Sequence, residues 1–139
     1  MSNREIFLTR RVCFCAAHRL YNAHWSKEKN WDVFDKCSYE NGHGHNYELF
    51  VTLKGSADSD SGMLINVNEV SEIVEKAVIN DLDHKNLNLD VPEFKTLLPS
   101  IENLVIVIWD RLIKQEKLAP YLYEIKVQET ENNIAYYRG

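Results

Sequence analysis

The sequence predicts an α+β domain in which two helices pack on one face of a largely antiparallel sheet. Three observations predict it. Apolar and polar residues alternate with a period of two towards both ends of the chain. Two middle segments instead carry apolar residues at helical spacing, and joins rich in Gly, Asn, Asp and Ser separate the strands. Strands, then helices, then strands is the order of a segregated α+β chain, not of repeating β-α-β units.

Residues 5–19 read as the first strand, with Ile6, Leu8, Val12, Phe14, Ala16 and His18 on one face and Cys13, Cys15 and Ala17 on the other. His18 therefore ends an apolar face. Residues 20–41 form a long connection rich in charged, Asn and Trp residues. Connections of this length inside compact domains are usually functional or carry short irregular structure. Over residues 43–54 the period returns to two, and His43 and His45 extend the apolar face of Tyr47, Leu49, Val51 and Leu53.

The segment GSADSDSG at 55–62 has the composition of a turn, and a short strand is expected after it at 63–65. Asn66 with Glu69 resembles a capping box, and Val70, Ile73, Val74, Ala77 and Val78 place a helix from there to about Asn80. Ser100 caps a second helix after Pro99, whose buried stripe is Ile101, Leu104, Val105, Ile108, Leu112 and Ile113 before Pro120 stops it. The last strands are expected at 121–130 and 134–137. The first of them carries Glu129 on the face of Tyr123, Ile125 and Val127.

At 139 residues and 45% hydrophobic composition, the chain can bury one sizeable core, and a single domain over 1–139 is expected. Sixteen basic against 21 acidic residues, a formal charge of -5, disfavour broad electrostatic binding to nucleic acid. No run approaches the roughly 18 to 20 apolar residues of a membrane span. The opening MSNREIFLTRR also lacks the apolar stretch of a signal peptide. A cytoplasmic protein without nucleic-acid or membrane partners is expected. Three cysteines, Cys13, Cys15 and Cys37, are an odd count without zinc-ribbon spacing and read as reduced thiols.

Histidines two apart on a strand point the same way, so His43 and His45 can present two imidazoles to one ion while His18 supplies a third from another strand. Three protein ligands leave a fourth position open for water or a substrate oxygen, which is the arrangement of a catalytic metal. All-nitrogen ligation favours zinc, with iron, nickel and copper still open. Taken alone, His-Gly-His reads more readily as a strand-end turn, and His18 as a satisfied core histidine, than as metal ligands.

Cys37 lies six residues before His43, where a nearby dication would favour its reactive thiolate. Asp83 and His84 adjoin in NDLDHKNLN, where a carboxylate can orient an imidazole for proton transfer. Glu129, a carboxylate on an apolar face, must be paired or neutral if buried, and a heterocycle with two donors would satisfy it. Arg19, Lys36 and Lys85 adjoin these motifs and offer local positive charge to an anionic substrate.

Read in order, FCAAHRL at 14–20, CSYENGHGHNYEL at 37–49, LDHKNLNLDVPEF at 82–94, IENLVIVIWDRL at 101–112 and VQETENN at 127–133 resemble the 6-pyruvoyltetrahydropterin synthase family over nearly the whole chain. The resemblance implies the tunnelling fold (T-fold), an antiparallel four-stranded sheet with two helices packed on one face, whose sheets close into barrels in a homohexamer of two trimers with active sites between subunits. It also implies zinc on His18, His43 and His45, catalytic roles for Cys37, Asp83 and His84, and a pterin anchored by Glu129. Further substrate contacts fall at Ser100 and Glu102.

The implied reaction converts 7,8-dihydroneopterin triphosphate to 6-pyruvoyltetrahydropterin with release of triphosphate. The related 6-carboxytetrahydropterin synthases of queuosine biosynthesis use the same substrate and also expel acetaldehyde. Many of them have a shorter spacing before HGH than the six positions from Cys37 to His43 here. A third reading is a non-catalytic pterin- or metal-binding oligomer. Its one sequence hint is Ile101, which stands where many relatives carry the second of two hydroxyl residues.

Overall fold

The computed structural model describes residues 4–139; the first three residues of the expected domain lie outside the described part. Strand β1 (Ile6–His18) is followed by helix α1 (Lys27–Phe34), strand β2 (His43–Gly55), helix α2 (Val67–Val74) and helix α3 (Asn80–Leu82). Then come strand β3 (Lys85–Asn86), helix α4 (Leu87–Asp90), helix α5 (Ile101–Ile113), strand β4 (Leu122–Thr130) and strand β5 (Asn133–Tyr137). One sheet holds the strands in the order β3-β1-β2-β4-β5.

Among the described residues the sheet has five strands where the family resemblance implies four. The addition is β3, two residues paired parallel to Ala16 and Ala17 of β1. A two-residue strand carries no periodicity, and its sequence signal is lost in the polar run around it. The expected strand at 63–65 does not form. The chain there is held in a turn by Asp58, whose backbone N–H donates to the Met63 carbonyl and whose own carbonyl accepts from Gly62. Asn66 then caps α2 by accepting from the Asn68 N–H at 2.9 Å, and the helical path continues through a π stretch, Glu75–Ile79, into α3, past the expected end at Asn80.

β1 and β2 pair antiparallel over their full length, from Ile6 opposite Gly55 to His18 opposite His43. Residues directly opposite each other share a face, so this register stacks Phe14 on Tyr47, Ala16 on His45 and His18 on His43. That face is the covered one. Tyr47, Leu49, Val51, Ile125 and Val127 are fully buried against Val74, Val78, Leu104, Ile108 and Leu112 from the helices. The outer part of β1 runs beyond the helices, leaving Ile6 and Phe7 exposed although Ile6 belongs to the apolar pattern.

The long connection holds α1, capped by Ser26 Oγ accepting from Lys29 N–H, and a 3-10 turn, Asp35–Ser38, that carries Cys37. The chain re-enters the sheet through Gly42 at φ 69°, a left-handed conformation that glycine adopts without cost. A Cβ there would stand 2.6 Å from the His18 carbonyl oxygen, so glycine also permits the close approach that aligns His18 with His43. Among the described residues, no helix is long and apolar enough to cross a membrane.

Candidate active site

His18 ends β1 and is buried to 1% exposure. One of its ring nitrogens, Nδ1, lies 2.7 Å from the Pro99 carbonyl oxygen, just ahead of α5. A carbonyl only accepts, so Nδ1 carries the proton and Nε2 is left with its lone pair. Nε2 approaches His43 Nε2 at 3.1 Å, and the His45 ring lies 5.0 Å from that of His18. One donor atom from each of the three histidines falls within 4.8 Å of the others.

Glu129, on β4, reaches the same point. Its Oε2 is 3.8 Å from His18 Nε2 and 3.9 Å from His45 Nε2, and its side chain is 12% exposed. Burial pushes the His18 and His45 imidazoles below the usual histidine range, against the opposing pull of the Pro99 carbonyl on His18 and of Glu129 on both. Neutral imidazole is the form that ligates a metal.

Two buried polar atoms here have no hydrogen-bond partner, His45 Nε2 and the Tyr47 hydroxyl. Buried polar groups are nearly always satisfied, and an orphaned pair in one place marks where a ligand belongs. The donor set fits a metal: three imidazole nitrogens, one of them orphaned, on two adjacent strands. The sequence pattern places Tyr47 only among the apolar residues of its strand; its orphaned hydroxyl becomes visible when the strands are paired. Burial first, and the Glu129 charge second, push that phenol well above its usual range.

Cys37 is held near this group by a backbone bond from Leu20 N–H to its carbonyl at 2.9 Å. Burial pushes its thiol up, reinforced by the negative charges of Glu129 and Asp35. Arg19 directs Nε to the Ser38 carbonyl at 2.9 Å and lays its guanidinium over Tyr21, while Asn88 brackets its backbone with two bonds of 2.7 and 2.9 Å. Ser100 uses its hydroxyl to cap α5, accepting from the Asn103 N–H at 3.2 Å. Glu102, in the first turn of α5, is exposed, as are Lys36 and Lys85.

Asp83 and His84 lie on the other side of β1. Asp83 Oδ1 accepts from the Cys15 N–H at 2.9 Å, and the His84 N–H donates to the Cys15 carbonyl at 2.6 Å. The bond from the Cys15 N–H, with help from His84, holds the Asp83 carboxyl below its usual range. His84 adopts φ 62° and sets Nδ1 2.9 Å from Asp83 Oδ2, with its side chain 80% exposed. Within one chain the structure joins His18, His43, His45 and Glu129 into one cluster. The Asp83–His84 pair belongs to a second cluster on the opposite face.

The 6-pyruvoyl tetrahydropterin synthase family model matches residues 7–139. The chain belongs to this family. A 6-pyruvoyl tetrahydrobiopterin synthase of Dictyostelium discoideum is 47% identical over 137 residues, 99% of this chain and 98% of the relative. The Homo sapiens protein of the same name is 44% identical over 134 residues, covering 95% and 90%. The 6-pyruvoyl tetrahydropterin synthase structure from Caenorhabditis elegans superposes with a TM-score of 0.90 at 34% identity, over 100% of this chain and 99% of that one. A Plasmodium vivax structure at 18% identity and TM-score 0.69 shares the fold. The family expectation, made from the ordered motifs, is thus met, and the α+β class with it.

Proposed function

We propose that this chain is a zinc-dependent lyase that converts 7,8-dihydroneopterin triphosphate to 6-pyruvoyltetrahydropterin and releases triphosphate. The observation that carries the reading is the orphaned, buried Nε2 of His45 beside the nitrogens of His18 and His43, in a chain whose Dictyostelium discoideum and Homo sapiens relatives are named for that synthesis. His18, His43 and His45 would hold the zinc. When bound, it supplies a Lewis acid that polarises the substrate side-chain oxygens and acidifies the adjacent C–H.

Glu129, nearly buried beside the imidazoles of His18 and His45, accepts from the pterin amino and ring N–H groups, the donors its two oxygens lack in the protein. Cys37 is the base that removes the acidified proton. The chain's own groups keep its thiol protonated, so positive charge at the site is what brings it into range at neutral pH. Asp83 fixes the His84 tautomer through Nδ1, leaving Nε2 to carry a proton to or from the substrate. Arg19, Lys36 and Lys85 offer charge to the triphosphate, and Ser100 and Glu102 line the approach from α5.

The opposite-face location of the Asp83–His84 pair supports a site completed between subunits of a homohexamer. The cytoplasm is the proposed location, with no nucleic-acid or membrane partner. The deciding experiment incubates the zinc-loaded protein with 7,8-dihydroneopterin triphosphate and analyses the pterin, triphosphate and acetaldehyde. Triphosphate with the pyruvoyl product is the expected result. Stoichiometric acetaldehyde would overturn it in favour of the carboxy reaction, and no turnover would favour a non-catalytic pterin binder.

A further inference from the structure

The parallel pairing beside β1 does not stop where β3 ends. His84 donates its N–H to the Cys15 carbonyl, and Lys85 and Asn86 stand opposite Ala16 and Ala17. Asn88 already belongs to α4, yet it meets Arg19 in the same register. Its side-chain amide takes the place of a strand backbone. Oδ1 accepts from the Arg19 N–H at 2.7 Å, and Nδ2 donates to the Arg19 carbonyl at 2.9 Å. A primary amide suits this place because it holds one acceptor and a donor in one plane, matching the N–H and C=O of a single residue.

Arg19 and Leu20 in turn seat the turn that carries Cys37. The Leu20 N–H donates to the Cys37 carbonyl at 2.9 Å, and Arg19 Nε donates to the carbonyl of the neighbouring Ser38 at 2.9 Å. Ser38 is buried, and its hydroxyl closes the turn on the Asp35 carbonyl at 2.7 Å. His18, whose ring belongs to the histidine cluster, immediately precedes Arg19. A two-residue segment therefore spaces the Cys37 turn from the His18 imidazole, and Asn88 grips the backbone of that segment.

We propose that Asn88 is a positioning residue for the Cys37 thiol, acting through the backbone of Arg19 and Leu20 to fix the distance of the thiol from the metal-binding histidines. This role rests on the reading of Cys37 as the base of the lyase reaction. Without the amide, the half-buried peptide groups of Arg19 lose both partners, and the segment rearranges to satisfy them. A misplacement of about 1 Å at a reacting group costs up to about a hundredfold in rate. The loss falls on proton removal, because Arg19 keeps its own side-chain contacts to Ser38 and Tyr21.

The test compares Asn88→Ala, Asn88→Leu and Asp90→Ala with the parent protein. Leucine keeps the volume of asparagine and so separates the amide from its packing. Asp90 accepts from the Asn86 N–H at 2.9 Å, so its loss loosens the same short helix without touching Arg19. In the zinc-loaded protein, both Asn88 variants should lower kcat for triphosphate release by about ten- to a hundredfold, with KM little changed and zinc content retained. In the metal-free protein, alkylation of Cys37 by iodoacetamide, followed on its own peptide by mass spectrometry, should quicken severalfold in both. Asp90→Ala should match the parent in each measurement.

The alkylation rate involves no turnover, so it tests the clamp separately from the reaction. Absence of triphosphate release from the parent would overturn the lyase reading alone. Parent-like alkylation of Cys37 in both Asn88 variants would overturn the assignment, with or without a fall in kcat. An equal effect in Asp90→Ala would overturn it too, reducing Asn88 to a support of α4.

Discussion

His18 donates from Nδ1 to the carbonyl of Pro99 across 2.7 Å, and this bond decides which nitrogen of the ring meets His43. An outer-shell bond of this kind fixes tautomer and orientation together, and losing one typically costs 10- to 100-fold in metal affinity. His18→Ala removes the ligand as well, so affinity for zinc should fall by more than about a hundredfold. Competition with a chromophoric chelator measures it; unchanged affinity would remove His18 from the site.

Gly42→Ala should act on the same histidine without touching its ring. The new Cβ would press on the His18 carbonyl from 2.6 Å, in a backbone conformation at φ 69° that alanine resists. Stability should drop by more than about 1 kcal/mol, read as a lower urea midpoint. Metal affinity should fall with it, because the β1–β2 register ends at this point.

The metal-free protein should lose stability as pH falls through the histidine range. Burial holds His18 and His45 below their ordinary value of 6.5, so the unfolded chain takes up protons before the folded chain does. Their contribution is fully present above about 6.5 and is lost on further acidification. Urea midpoints between about pH 8 and pH 5 should be level and then decline; a rise over the lower part would contradict the assignment.

Cys37→Ala should abolish triphosphate release while leaving zinc content unchanged, because the thiol sits beside the histidine cluster without belonging to its donor set. Metal analysis and a phosphate-release assay on the same preparation distinguish this from loss of the site. Full activity in the variant would exclude Cys37 as the base.

Arg111→Met should destabilise the fold under the second cluster. The guanidinium holds both oxygens of Glu93 at 2.7 and 2.8 Å, Asp81 at 2.6 Å and the Ala77 carbonyl at 3.1 Å, joining α5 to the π stretch and α3. Charge-assisted bonds of this kind contribute about 1.5–3 kcal/mol. Chemical denaturation should show a loss in that range with an unchanged denaturant slope.

Much of the inner cluster was legible in the sequence because strand alternation is a local signal. His18, His43, His45 and Glu129 each continue a run of apolar residues with period two, and pairing β1, β2 and β4 in register suffices to bring them together. Tyr47 was hidden by the same logic, since an aromatic on an apolar face reads as core until its hydroxyl is found without a partner. The Cys15 contact to Asp83 spans 68 positions and runs through a backbone amide, which no side-chain pattern records. Pro99 likewise acts through its carbonyl. β3 and the π stretch were beyond reach for a different reason: each is imposed by packing on a segment too short to announce itself.

β1 carries two chemistries within four residues, Cys15 facing one way and His18 the other. The strand thus acts as a partition whose sides are assigned by parity alone. A substitution on either side leaves the opposite side intact, but a single inserted or deleted residue between these positions would exchange the two faces. This short stretch can therefore accept changes of residue more readily than any change of length.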